Sequence, residues 1–477
     1  MQGRSYLWIS GGLALLAVLA VANVASAQMM PDLGYQQMAA AEYPSATAVS
    51  YKGTDDLARE VAELREWKES VEKKEAEAKK KAAGAPTVQV GGRIYVDTAM
   101  FNQNGNSIAQ VGDADNGSEF RTTRIFVKGK AFHVVDYKLQ FDISGNTTVD
   151  SEGIFNNKRI GQVVYKDVYM SINELPFLGH LRLGHFKEPF SIEQLTSSRF
   201  ITFMERSLGD EGIFVPGRNM GVMAFDWSED ENMTWAIGGF VNEIPDNPPL
   251  YHNDHGQAAV TMRLTWLPWY DEATNGRGLL HLGAGYSYRS TRPNLLRLRS
   301  HPESHLAPYV LDTGLLLDTP NYQLYNAEAA YVYGPFSAQA EYFGIALNRI
   351  DGRINENFNG CYLNLSYFLT GENRVYDRHI GSFTRVKPFG NFFRVRDENC
   401  CIQTGIGAWE IAYRFSHGNL IGEVVNGGRT NDHTVGLNWY LNPYMRMMFN
   451  YIHSTTDDAA AMNGNIDIFQ MRAQIDF

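Results

Sequence analysis

The sequence predicts an all-β protein, a transmembrane antiparallel β-barrel of about 16 strands (roughly 16–18). Three observations carry that prediction. From Thr87 to Phe477, apolar and polar residues alternate in many short segments separated by turn-rich stretches such as "NQNGNSIAQVGDADNGS". Strict alternation gives a sheet one apolar and one polar face. Beyond the N-terminus no run of about 18 apolar residues occurs, so no helix is expected to span a membrane. Aromatics crowd the segment ends, as in "TWLPWY" and "LNWYLNPY", where a girdle at a membrane–water interface would sit.

The elements follow in order. Arg4 precedes an apolar run, Leu13 to Val24, and the small residues Ala25-Ser26-Ala27. Residues 1–27 therefore read as a secretory signal peptide. Its removal takes away Arg4 alone, making a chain of net charge −11 one unit more negative. Residues 28–54 are rich in Ala, Ser, Tyr, Pro and Gln and read as a flexible lead-in. In residues 55–84, Leu57, Leu64, Val71 and Ala78 recur at heptad spacing, while Lys68 and Glu75 spoil the second seam. A weak periplasmic coiled coil and a solvated charged helix both fit. Gly84-Ala85-Pro86 ends it.

The alternation then runs from 87 to 477. Val88, Val90, Ile94, Val96 and Met100 oppose Gln89, Arg93 and Asp97. Tyr137, Leu139, Phe141 and Ile143 oppose Lys138, Gln140 and Asp142. Leu280, Leu282, Ala284, Tyr286 and Tyr288 oppose His281, Ser287 and Arg289. Phe469, Met471, Ala473, Ile475 and Phe477 oppose Gln470, Arg472, Gln474 and Asp476. A soluble sandwich would also alternate, but recurrence over so long a stretch without a convincing helix favours the barrel. A barrel of this size encloses an aqueous channel. Polar-face positions then include Arg93, Asp97, Arg124, Lys128, Lys138, Asp142, Asp167 and Arg263. A midplane arginine facing lipid would cost about 2–4 kcal/mol.

Other classes find little support. An acidic chain is no bulk nucleic-acid binder. No G-x-S-x-G, HExxH or P-loop string occurs, so neither enzyme nor cofactor is expected. Of Cys361, Cys400 and Cys401, only Cys361 with one of the adjacent pair offers a sensible bridge.

One stretch breaks the alternation: "RLGHFKEPFSIEQLTSSRFITFMERSL", Arg182 to Leu208. It holds Lys187, Arg199 and Arg206 against Glu188, Glu193 and Glu205. An external loop or a segment folded into a lumen would each account for it. The part from Gly184 resembles the phosphate-selective porin O and P family. So do, in order, "SEFRTTRIFVKGKAF", "YKLQFDIS", "YKDVYMSI", "YFLTGENRVYDRHIGSFTRVKPFG", "GAWEIAYRFS" and "TVGLNWYLNP", and the terminal Phe477 resembles the assembly signal of outer-membrane barrels. The resemblance implies a homotrimeric, 16-stranded porin in the outer membrane, passing small hydrophilic solutes or anions by diffusion. It makes Glu188 to about Met220 a constriction loop, packed on the wall by Phe186, Phe190, Phe200 and Phe203. Opposed charges at a narrow neck would set up a transverse field. Arg93 and Arg121 match the family's strand arginines, and Arg206 its loop arginine. Thr122 and Gln194 stand where a second arginine and a lysine are expected, and each removes a charge-assisted donor for phosphate. An alternative is a structural barrel whose helix 55–84 contacts the cell wall.

Overall fold

The computed structural model describes residues 85–477 apart from 145–162, 211–212, 242–256, 293, 397–401 and 458–462, together with Lys68, Ser70 and Lys73, which are helical. The expected signal peptide and lead-in, nearly all of residues 55–84, expected to be helical, and Cys400 and Cys401 lie outside the described residues. Cys361 carries a free thiol and alternates with inward-facing Gly360 and Tyr362.

Sixteen strands close into one barrel, each paired antiparallel to its neighbours in the chain. They are β1 (Gln89–Gln103), β2 (Gly117–Ala131), β3 (Val135–Asp142), β4 (Val164–Leu175), β5 (Gly179–Lys187), β6 (Arg218–Trp227), β7 (Met233–Val241), β8 (Ala258–Tyr270) and β9 (Gly278–Ser290). Then come β10 (Asn321–Tyr333), β11 (Phe336–Asn348), β12 (Glu356–Phe368), β13 (Ala408–Ile421), β14 (Asn426–Asn442), β15 (Met445–Asp457) and β16 (Asn463–Asp476). The seam joins β1 to β16 with Arg93 opposite Asp476 and Gln103 opposite Ile466. Phe477 completes it, exchanging two backbone hydrogen bonds with Gly92.

The burial pattern is inverted relative to a soluble protein. Along β8, Val260, Met262, Leu264 and Trp266 are exposed on the outside, while Thr261, Arg263 and Thr265 are buried within. Only lipid makes such an exterior favourable, and closure leaves no edge to satisfy. Val88, Val90 and Met100 are likewise exposed and Arg93 and Asp97 enclosed, so β1 has the expected register.

Two departures from alternation matter. Tyr95 pairs with Thr122 and Val96 with Phe120, leaving Arg121 as the extra residue of a bulge. A bulge re-aims side chains. Arg121 and Arg124, three apart, would face opposite sides of a regular strand; here both face the lumen. Near the end of β8 the register shifts between Trp266 and Trp269, and both indoles stay outside.

Short connections lie at one end of the barrel, with a single exception, 369–407. Two connections from the opposite end, 188–217 and 291–320, and part of 369–407 fold into the lumen. The first carries the helical turn α2 (Ile192–Leu195); α1 (Gly105–Val111) follows β1. Phe190, Ile213 and Phe214 of the first insert share one apolar cluster with Leu298 and Leu311 of the second and with Leu324, Phe343 and Phe358 of the wall. Ile192 meets Tyr376 and Phe383 of the third against Leu267, Leu279 and Val332.

Candidate functional site

The wall facing these inserts is acidic. Five consecutive strands, β10 to β14, each present one enclosed carboxylate: Glu328, Glu341, Glu356, Glu410 and Asp432. The inserts cover this arc. Glu341 accepts from Ser191 Oγ and the Glu193 N–H, both at 3.0 Å, and so receives the start of α2. Arg414 on β13 pairs with Glu193 at 3.4 Å and with Glu303 of the second insert at 2.5 Å.

The space left open lies against β1–β8. It is a cavity of about 410 Å³ lined by those strands, by residues 195–206 of the first insert, by His379 and Ile380, and by Arg472. Its lining carries Arg93, Arg121, Arg124, Lys128, Lys138, Arg182, Lys187, Arg199, Arg206, Arg218, Arg263 and Arg472, against only Asp167 and Glu205.

Several of these cations are neutralised. Arg124 Nε donates to Asp142 at 2.6 Å. Lys138 and Arg218 clamp Asp167 from two sides, at 2.5 and 2.6 Å. Arg263 pairs with Glu328 and donates to the Ile380 and Gly381 carbonyls of the third insert. Arg199 approaches Asp476 at 3.5 Å. Arg472 holds both oxygens of Asp97, at 2.7 and 2.6 Å, and one of Glu205 at 2.5 Å. Arg121 meets Glu205 with two parallel bonds of 2.9 Å. Burial pushes the Glu205 carboxyl up, but the Arg121 and Arg472 guanidiniums outweigh it and hold that carboxyl well below the usual range.

Others have no carboxylate among the described residues. Arg93 donates only to hydroxyls, Ser198 at 3.1 Å and Ser197 at 3.5 Å. Arg182 donates to Ser171 and lies over Tyr169, 4.3 Å from the ring centroid. Lys128 reaches toward the Phe126 ring. These three project from β1, β5 and β2 with charge to spare.

The first insert and the strands beside it depart from the sequence reading at several residues. It ends at Gly217, because Arg218 already begins β6. Glu188 does not face the cavity: it is fully buried and held by Arg289 at 2.8 and 3.0 Å, by Asn219 and by Thr261. Glu193 is also behind it, accepting from the Ser207 backbone and hydroxyl. Asp97 is sequestered by Arg472. The acids of this loop therefore anchor it; a transverse field of loop acids against loop bases is not formed. Arg206 does reach the cavity, but its fork donates to the Glu193, Gln194 and Thr196 carbonyls and lies 3.4 Å from Asp210. Lys187 shares the Gln194 and Thr196 carbonyls. Both close off the end of α2. Glu205, adjacent to Arg206 in sequence, turns to Arg121 and Arg472 instead. Phe190 and Phe203 are buried as expected, whereas Phe186 belongs to β5 and packs on Met223, Phe240 and Ala259.

The sequence reading did not place Arg182, Arg218 or Arg472 at the cavity, nor the 291–320 and 369–407 inserts. The signal for 369–407 is its position: counting connections puts this long stretch at the end where the other connections are short.

Comparison with known proteins identifies the family. Residues 88–477 match the family described as phosphate-selective porin O and P. Porin O of Pseudomonas aeruginosa is 26% identical over 408 residues, covering 80% of this chain and 85% of that protein. An uncharacterized protein of Caulobacter vibrioides is 25% identical over 386 residues, covering 77% and 69%. Among solved structures, the anion-selective porin from Comamonas acidovorans is 13% identical, covers 82% of this chain and 100% of that one, and superposes with a TM-score of 0.47. The chain belongs to the phosphate-selective porin O and P family and is an outer-membrane porin, a channel rather than an enzyme.

Proposed function

We propose that this porin is an anion-preferring diffusion channel for small hydrophilic solutes, working as a homotrimer. The observation that carries the preference is the surplus of cations at the open cavity, with Arg93, Lys128 and Arg182 lacking any carboxylate partner among the described residues. In a narrow neck of low dielectric, fixed charges of one sign enrich counter-ions and exclude co-ions. Arg93, Lys128 and Arg182 set this potential, while Arg121, Arg124, Arg199, Asp167 and Arg263 line the same cavity in neutralised pairs. Arg93 beside Ser197 and Ser198 provides charge and hydroxyls suited to an oxyanion. Thr122 faces inward beside Arg121 and Gln194 is largely enclosed, so two donors expected for strict phosphate selection are missing. The reading is therefore general anion preference. The trimer rests on the family resemblance. Reversal potentials across planar bilayers in a KCl gradient test the proposal: chloride permeation should dominate, and a cation-preferring channel would refute it. Chemical cross-linking in native membranes tests the trimer, which a ladder ending at monomer would refute.

A further inference from the structure

The connection 369–407 divides into two hairpins that go to opposite sides of the barrel wall. The first pairs Val375–Asp377 with Ser382–Thr384 and lies in the lumen. Val386 is still inside, packed with Phe368, Ala408 and Tyr440. Six residues later the chain is outside. The Phe392 N–H donates to the Leu441 carbonyl, and its ring meets Trp439 edge-on at a centroid distance of 4.5 Å. Trp439 alternates with enclosed Asn438 and Tyr440 and belongs to the outer face of β14.

The second hairpin pairs Phe393–Arg396 with Ile402–Gly405. Around its base, Phe389 is 70% exposed, Phe393 66%, Ile406 66% and Leu369 60%. Such a group of large apolar side chains on one small hairpin would be unfavourable in water. It does not stand alone. The Ile406 carbonyl accepts from the indoles of both Trp409 and Trp439, which stack 5.0 Å apart. Those indoles are part of the aromatic girdle at the short-connection end, with exposed Trp269, Tyr333, Phe336, Tyr367 and Tyr444. The apolar base of the hairpin is thus continuous with a surface already committed to the membrane interface.

We propose that the base of this hairpin, where Phe393–Arg396 pairs with Ile402–Gly405, is a membrane foot, with Phe389, Phe393 and Ile406 seated among the headgroups and upper acyl chains of the phospholipid leaflet at the short-connection end. Aromatic and aliphatic side chains beside a tryptophan belt suit that boundary, as they do in interfacial helices. The foot leaves the same connection as the lumenal hairpin, so lipid contact on the outside steadies a wall of the channel on the inside.

The test uses the full-length porin in vesicles of phosphatidylethanolamine and phosphatidylglycerol. Phe393→Trp adds one indole, and its emission is read as the difference from wild type. Ile406→Trp reports from the other arm of the hairpin and carries the same expectation if the first variant fails to assemble. The added emission should be shifted to the blue, lose most of its intensity when the phospholipids carry brominated acyl chains, and resist aqueous iodide. Quenching by iodide with none by brominated lipid would put the hairpin in water and overturn the proposal. Resistance to both quenchers would also overturn it, since the group would then be covered by protein, such as a second copy of the chain.

Discussion

Arg93 is the residue whose removal should change ion selectivity most for the least structural damage. It faces the cavity, lacks a carboxylate partner among the described residues, and gives up two hydroxyl contacts, at 3.1 and 3.5 Å, and a distant contact with the Tyr95 ring when truncated. An anion passing about 5 Å from its guanidinium gains about 0.8 kcal/mol even at the dielectric of bulk water, and several times that in a drier neck. The lower figure corresponds to roughly fourfold enrichment of anions and a similar depletion of cations. Arg93→Ala should therefore lower the anion-to-cation permeability ratio by the product of the two, roughly sixteenfold, in roughly 10 mM salt, where the screening length is about 30 Å. In about 1 M salt, with screening within roughly 3 Å, most of the change should vanish. Arg93→Lys keeps the charge and should shift the ratio far less. Arg206→Ala should also shift it less, because the Arg206 fork is already committed to three backbone carbonyls. The assay is the zero-current potential of single channels across a salt gradient. A ratio unchanged by Arg93→Ala at low salt would refute the electrostatic account of the lumen.

Three further outcomes are expected. Glu193→Ala leaves the Ser207 N–H and hydroxyl without their acceptor and removes the weaker of Arg414's two carboxylate partners, Glu303 remaining, at a cost of about 1–3 kcal/mol to loop docking; single-channel recordings should show added flicker and protease should nick residues 188–217, and a quiet, resistant channel would count against the anchoring role. Burial pushes the Glu303 carboxyl up, against the pull of Arg414; the stability this gives is full below the ordinary carboxylate pKa and is lost as pH rises through the raised one, so docking of 291–320 should loosen as pH rises above the ordinary carboxylate range, and proteolysis of that segment that does not change with pH would contradict it. Deleting Phe477 removes both seam hydrogen bonds with Gly92; folded, heat-modifiable barrel should form more slowly while export continues, and a normal assembly yield would refute its part in closure.

Much of the barrel was legible because lipid and lumen impose the period of two on nearly every strand. Val88, Val90, Arg93 and Asp97 could be assigned to faces by parity alone, as could Gln470 and Arg472. The bulge at Arg121 was not legible, since an extra residue changes parity without changing composition. Within the long segment after β5, the presence of an insert could be read from broken alternation, but the use of its charges could not. Glu188 finds Arg289 about a hundred positions later and Glu193 finds Arg414 more than two hundred later. Nothing local distinguishes such an anchor from a channel-facing acid. Nor does adjacency help: Glu205 and Arg206 are neighbours that turn to different partners.

The covered acidic arc and the open basic arc also divide the chain by order. Most cations of the cavity arise before residue 270, whereas the five carboxylates of the covered arc lie on strands from 321 onward. The open lining and the wall that receives the inserts are thus written largely in different halves of one polypeptide. Sequence drift in the first half can retune what passes while the scaffold still assembles. Drift at Glu341 instead changes what receives the first insert. Lineages of this porin would then diversify in solute preference by changes concentrated in the strands up to β8, and hybrids made by exchanging those strands would inherit the selectivity of their donor.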